Sequence, residues 1–213
     1  MADPGVVAEL LALGAATVGE SGGRPMAPRI KPAWRGARVA APALCVRCAN
    51  GDNLAIHVAV ADAPAGVALV VEPGQPRELG FWGEVLTTAA EARGVVGLVI
   101  DGGVRDVAAL EAHDFPVFSA VVALPGAVKV AGGEVGGRVR VGDVEVTTGD
   151  WVVGDADGVV VVPGDRLDEV ITAARARADK EARMFDQLRG GATTIELLGL
   201  DPSPVTRSHS LEP

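Results

Sequence analysis

Residues 67–123 contain VALVVE (67–72), GEVLTTAAEAR (83–93), VVGLVI (95–100), DGGVRDVAALEAHD (101–114) and PVFSAVVA (116–123). The three Val-rich runs are short, continuous and β-branched, as strands buried on both faces are. GEVLTTAAEAR is made of helix formers and stops at Gly94, a favourable residue just past a helix end. Residues 106–113 read as a second short helix. Strand, helix, strand, helix, strand in close succession is an α/β pattern, and its crossovers are expected to be right-handed.

Outward from this block, residues 37–48 read as a strand, and Asp52 is expected to cap a helix over DNLAIHVAVADA that Pro64 and Gly66 end. Residues 4–16 read as a helix and 17–36 as irregular, being rich in Gly, Pro and Arg. Downstream, 124–163 alternate Gly and Val in short runs and predict a β-meander. Asp165 is expected to cap a long helix to about residue 189, where Gly190 and Gly191 stop it, and residues 201–213 read as a frayed tail.

The chain has 213 residues, 19 basic against 28 acidic, for a net charge of −9, and 48% are hydrophobic. A single domain of this size buries enough surface to fold without a disulfide or metal staple. With 3% aromatics and no Tyr, its core must be Val, Ala, Leu and Ile. No basic run is present, which argues against nucleic-acid binding and against a charged membrane surface. No apolar run approaches the roughly 20 residues that span a bilayer. The first residues carry acids where a secretion signal carries Lys or Arg, so a cytoplasmic location is expected. Cys45 and Cys48 form a CxxC inside a strand-like run, with neither a helix start to activate a thiol nor a second ligand pair, and read as ordinary strand residues.

The chemistry is concentrated in LVIDGGVRDVAAL (98–110), where a strand is expected to end, two glycines to turn and Arg105-Asp106 to open a helix. Ligands of α/β folds collect at strand carboxyl ends, and the first turn of a helix offers free N–H groups. Arg105 could there hold a carboxylate or enolate oxygen and Asp106 a hard cation. Equally, Asp106 could complement the helix dipole, with Arg105 its surface partner. GFWGEVLTTAA (80–90) repeats the geometry: the amides from Gly83 could bind a carboxylate, and Glu84 could simply be a helix-start acid. His57, lone on an apolar helix face, reads as a satisfied core residue, and Asp155 and Asp157 as turn formers.

Together with ATVGESGGR (16–24), GDNLAIHVAV (51–60), FWGEVLTTAAEARGVVGLVIDGGVRD (81–106) and GDADGVVVVPGD (154–165), these residues resemble the RraA-like family over most of the chain. They are similar in particular to its class II pyruvate aldolases, which cleave 4-hydroxy-4-methyl-2-oxoglutarate and 4-carboxy-4-hydroxy-2-oxoadipate. The family pattern of an acid, twenty residues and Arg-Asp is matched by Glu84 and Arg105-Asp106.

The resemblance implies a single layered α/β/β/α domain, swivelling-domain-like, over residues 1–200, with a long C-terminal helix and a flexible tail at 201–213. It implies that Asp106 ligates Mg²⁺ or Mn²⁺ and that Arg105 holds the pyruvyl C2 oxygen. The amides of Gly83, Glu84, Val85 and Leu86 would take the pyruvate carboxylate, and Glu84 would orient a metal-bound water. Glu20 would reach the site from a neighbouring subunit of a homotrimer or homohexamer. Glu181 matches a second such acid, although alone it reads as a helix-surface partner. The implied reaction is retro-aldol cleavage of a 4-hydroxy-2-oxo diacid to pyruvate and a second oxo acid, with oxaloacetate decarboxylation beside it. No Lys stands at a strand end near these motifs, which argues against a Schiff base. The family also includes non-catalytic regulators that bind an RNA-degrading endonuclease and have the Arg-Asp acid replaced; retention of Asp106 points to the enzyme. Thr148, where the family has Pro, and ATTIELLGL (192–200) depart from the pattern.

Overall fold

The computed structural model describes residues 3–206, which divide into two compact units with the boundary between Ala174 and Arg175. In the first, helix α1 (Pro4–Glu20) precedes β1 (Arg24–Pro25), β2 (Lys31–Pro32), β3 (Val39–Cys48), α2 (Leu54–Asp62), β4 (Ala68–Glu72), β5 (Gly80–Trp82) and α3 (Glu84–Ala92). Then follow β6 (Gly97–Val104), α4 (Val107–Ala112), β7 (Val117–Val122), β8 (Gly133–Val135), β9 (Arg138–Val141), β10 (Val144–Thr147), β11 (Trp151–Asp155) and β12 (Gly158–Val162). The main sheet runs β1-β12-β11-β3-β4-β6-β7-β2, with β5 added to β6 and β8 to β3. Its centre, β3-β4-β6-β7, is parallel, as the alternation of strands and helices predicts. The fold is mixed α/β, and its long helix is α5 (Leu167–Arg189).

Alternate side chains of the central strands feed two different cores, which is why their sequences read as unbroken apolar runs. Leu69, Val71, Leu98 and Ile100 pack under α2, α3 and α4 with Trp82, Leu86 and Leu110. Ala68, Val70 and Val99 face the other way, towards Phe118 and the β9–β10 hairpin. A third cluster seats α1 and the start of α5 on β11 and β12 through Leu10, Val18, Val153, Val162 and Val170. Cys45 and Cys48 fall in different cores, both free. Burial pushes their thiols up to about 11 and about 12, so both are inert strand residues at neutral pH, as expected.

Several boundaries differ from the sequence reading for physical reasons. Asp3 caps α1 by accepting from Gly5 N, and the helix breaks at Gly14 (φ 77°). It resumes because Asp155 Oδ2 accepts from Ala15 N at 2.7 Å, so 17–20 are helical rather than irregular. Asp155 thus forms its own turn, through Asp157 N, and recaps a helix 140 residues away. Asp52 is not the N-cap of α2; Asn53 occupies that position. Asp52 is fully buried and ties the helix start to a distant loop, accepting from Leu54 N, Val130 N and Ala131 N. Asp165 lies in a 3-10 turn, Gly164–Arg166, and α5 begins after it. The expected meander is split: β9 and β10 form a separate hairpin, while β8 and β11 both join β3.

The second unit holds the remainder of α5, which Gly190 and Gly191 end as expected, and α6 (Thr194–Leu198). A capping box between Thr193 and Glu196 opens α6. Of the tail read as frayed, 201–206 contain a turn closed by Val205 N on Pro202 O, and 207–213 lie outside the described residues.

Candidate functional site

The two glycines read as a turn after β6 are part of it. A Cβ on Gly103 would lie 2.4 Å from Leu79 O, and one on Gly102 2.7 Å from Pro73 Cγ, so both residues let the 73–79 segment cross the strand closely. GFW (80–82), just ahead of the α3 start, is the short strand β5 that this crossing lays beside β6. The chain turns instead at Asp106, whose φ of 58° is the left-handed conformation Asp tolerates better than most residues. Asp106 then sits at the N-cap of α4 without capping it.

Its carboxylate instead reaches the neighbouring helix. Asp106 Oδ2 accepts from Glu84 N at 3.1 Å and lies 3.7 Å from Arg105 Nε. Oδ1 has no protein partner among the described residues. A Cβ on Gly83 would stand 2.3 Å from Asp106 Oδ2, and one on Gly80 3.0 Å from Arg105 Cδ. Glycine at 80 and 83 therefore gives Arg105 and Asp106 room to lie across the start of α3. That start is rigid: Trp82 O accepts from Arg105 N, the Trp82 indole donates to the buried Thr87 hydroxyl, and its ring stacks on Phe115. The first bond within α3 is Thr87 N on Gly83 O, so the Val85 and Leu86 amides carry no helical partner.

These groups line a cleft of about 190 Å³ with Asn53, His57 and Lys129. Sequence reasoning missed those three. Asn53 Nδ2 is fixed on Phe81 O at 2.8 Å, while Asn53 Oδ1 and His57 Nε2 are buried with no protein partner among the described residues. His57 is thus not a satisfied core residue, and it is one of the residues that line the cleft. Burial, and then the Lys129 charge, lower its pKa below the ordinary 6.5, so the ring is neutral at pH 7. The available signal was the i, i+4 spacing of Asn53 and His57, which puts two polar side chains on one face of an otherwise apolar helix.

Of the residues singled out from sequence, Gly83, Val85, Leu86, Arg105 and Asp106 converge on this cleft. Glu84 contributes its amide, while its carboxylate lies 3.8 Å from His113 Nε2. Glu20 lines a different cleft, of about 300 Å³, with Met26, Ile30 and Val160. Glu181, in the second unit, pairs with Arg177 along α5 at 2.9 Å.

No three His, Cys, Asp or Glu side chains are grouped to hold a metal among the described residues. One half-open carboxylate beside a solvent-reachable cleft still suits Mg²⁺ or Mn²⁺. Such ions keep most of their waters and take one or two protein carboxylates together with substrate oxygens. Asp106, with a free oxygen, fits that role. Among the described residues no helix is long and apolar enough to cross a membrane.

Residues 13–161 match the family model described as RraA-like, Aldolase/RraA. A protein of Halalkalibacterium halodurans named "Putative 4-hydroxy-4-methyl-2-oxoglutarate aldolase" is 34% identical over 155 residues, 72% of this chain and 74% of that protein. An uncharacterized protein from Pseudomonas syringae pv. tomato superimposes with a TM-score of 0.81 at 26% identity, over 90% of this chain and 92% of the other. The RNA-processing inhibitor RraA from Thermus thermophilis shares the fold, with a TM-score of 0.64 at 24% identity over 70% of this chain and 92% of the other. On the family match across 13–161 and the extent of these likenesses, the chain belongs to the RraA-like family.

Proposed function

We propose that the cleft is the active site of a divalent-metal-dependent pyruvate aldolase. It would cleave a 4-hydroxy-2-oxo diacid, of the 4-hydroxy-4-methyl-2-oxoglutarate or 4-carboxy-4-hydroxy-2-oxoadipate type, to pyruvate and a second oxo acid. The carrying observation is the meeting of Asp106, Arg105 and the free amides of α3 at one small cleft, each with unspent hydrogen-bonding capacity. The likeness to the Halalkalibacterium halodurans protein supports the same reading.

Mg²⁺ or Mn²⁺ held by Asp106 would supply Lewis-acid stabilisation of the enolate charge. Arg105 would donate to the pyruvyl C2 oxygen, a fixed positive group where charge develops. The amides of Val85 and Leu86 would take the carboxylate at the positive end of α3. His57, neutral at Nε2, would hold or move a proton within the cleft. Lys129 would attract the substrate's anionic end. Oxaloacetate decarboxylation would pass through the same enolate and accompany the main activity.

Glu20 lines the other cleft and not this one, so its implied role would be filled from a second copy. Leu124, Val128 and Val130 are largely exposed, and their burial between subunits would favour the homotrimer or homohexamer. The test is pyruvate release from oxaloacetate and 4-hydroxy-4-methyl-2-oxoglutarate, with and without EDTA, beside light scattering. Metal-dependent release by an oligomer supports the reading. A well-folded sample that releases none would leave the non-catalytic regulator of an RNA-degrading endonuclease, and a strict monomer would remove the role of Glu20.

A further inference from the structure

The cleft is assembled from the starts of α3 and α4, and polar contacts join these helices at both ends of α4. At its N-cap, Asp106 accepts from Glu84 N. At its C-cap stands His113, with Nδ1 2.9 Å from Glu91 Oε2 and Nε2 3.8 Å from Glu84 Oε1. Glu84 and Glu91 are seven residues apart in α3, two helical turns, and therefore share a face. His113 is set between them, its side chain 27% exposed against 57% for Glu84.

We propose that His113 is a positioning residue for the cleft: it clamps α3 against α4 and fixes where the Glu84 carboxylate stands. This rests on the aldolase reading of the cleft and adds a residue to it. An exposed histidine–glutamate pair by itself does little. Here the hydrogen bond to Glu91 sets the plane of the ring and so presents Nε2 to Glu84. Glu84 is the residue whose amide holds Asp106. A change at His113 is thereby transmitted, through one residue, both to the placement of the Asp106 carboxylate and to that of the Glu84 carboxylate. Trp82 stacked on Phe115, two residues beyond His113, keeps the hydrophobic side of the same junction fixed. The polar clamp can therefore fail without the helices separating.

The experiment uses the full-length protein loaded with Mn²⁺ and compares wild type, His113→Ala, His113→Gln, Glu84→Gln and the His113→Ala/Glu84→Gln double variant. Turnover of oxaloacetate and calorimetric binding of oxalate, a planar dianion resembling the enolate, are both measured, and thermal melts confirm folding. His113→Ala should lower kcat about ten-fold, short of the roughly 10²-fold a full 1 Å misplacement can cause. It should also weaken oxalate binding while leaving KM within about two-fold. His113→Gln, which can still donate to Glu91, should recover most of both. The double variant should lose less than the product of the two single losses, because part of the effect of His113 runs through the Glu84 carboxylate. A wild-type kcat and oxalate affinity in His113→Ala, or effects that multiply in the double variant, overturn the proposal while the aldolase reading survives. A wild type that neither turns over oxaloacetate nor binds oxalate with Mn²⁺ removes that reading and this proposal together.

Discussion

Strand β6 supplies two aspartates five residues apart, Asp101 within it and Asp106 just past its end, and both stand beside arginine. Asp101 is 1% exposed. It takes Arg29 in a two-point contact at 2.9 and 2.7 Å, Arg77 at 3.2 Å and Gly142 N at 3.1 Å. Burial would raise its pKa, but the Arg29 hydrogen bonds, the Gly142 amide and the Arg77 charge outweigh that and hold the carboxyl below the usual range. Asp106 has one amide, a looser arginine and a side chain 40% exposed. The same residue pair is a structural joint where the protein fills the lone pairs of the carboxylate, and is open to the proposed ligand where it leaves them unfilled.

The sharpest way to break this contrast is Asp106→Asn. Asn tolerates the left-handed backbone and can still accept from Glu84 N, so the fold should stay within about 0.5 kcal/mol of wild type. Metal-dependent pyruvate release should fall by about 10³-fold, the upper end of what a lost charge-stabilising group costs. Steady-state assays with saturating Mg²⁺ and a thermal melt check both halves; retained turnover would rule out the metal role of Asp106.

Gly83→Ala attacks the same carboxylate without touching it. Gly83 has φ −168°, which any residue adopts, so the backbone carries no strain. The added methyl would lie 2.3 Å from Asp106 Oδ2 and must displace it. A loss of about 10²-fold in kcat/KM is expected, as for a misplacement of roughly 1 Å. The variant should bind Mn²⁺ more weakly by calorimetry, and unchanged binding would show that Asp106 can stand elsewhere and still serve.

Asp101→Asn should do the reverse. Stripping the charge from a buried carboxylate that faces two arginines leaves both poorly compensated. Stability should fall by about 2 kcal/mol, discounted from the 3–5 of a fully buried pair because Arg29 is partly exposed. That corresponds to a melting point lower by about 4–8 °C, with turnover at 25 °C nearly unchanged. The sign with pH follows from a carboxyl whose folded pKa lies below its unfolded value. Its contribution is present above about 3.9 and is lost as pH falls through the lower folded value. The difference between wild type and variant should therefore shrink in acid, and a gap that widened there would contradict the assignment.

Much of this architecture could be read directly. β4, β6, β7, α3 and α4 follow from local periodicity, and the two helix starts that the motifs singled out, at Gly83 and at Arg105-Asp106, do meet at the cleft. The misread parts depend on chain segments far apart in sequence. Gly102 and Gly103 look like a turn until Leu79 is known to pass within reach. β5, three residues long, exists only because β6 is there to receive it. Asn53, His57 and Lys129 come from opposite ends of a long excursion, joined through the buried Asp52 carboxylate gripping Val130 N and Ala131 N. No local pattern encodes that junction, so a histidine facing a cleft looked like one facing a core. The exposed acid Glu20 carried a family likeness but no local sign of the separate cleft that it lines.

The smallest effect concerns that histidine and separates it from the two aspartates by pH. An ordinary imidazole is half protonated at pH 6.5, whereas burial and Lys129 hold the folded-state pKa of His57 lower. If its neutral Nε2 handles the proton, kcat/KM should have an acid limb whose midpoint lies below 6.5. The loss at pH 6.5 should then be less than about two-fold. Lys129→Met removes the second of the two causes and should move the limb towards 6.5 without reaching it, because burial remains. His57→Gln should erase the limb and lower the plateau. Stability should follow the same sign: the unfolded chain binds the proton more readily, so acidification from pH 7 towards the folded value weakens the fold slightly in wild type and not in His57→Gln. A wild-type limb centred above 6.5 would mean that the titrating group is not this buried ring, and the proton would have to be assigned to another group in the cleft.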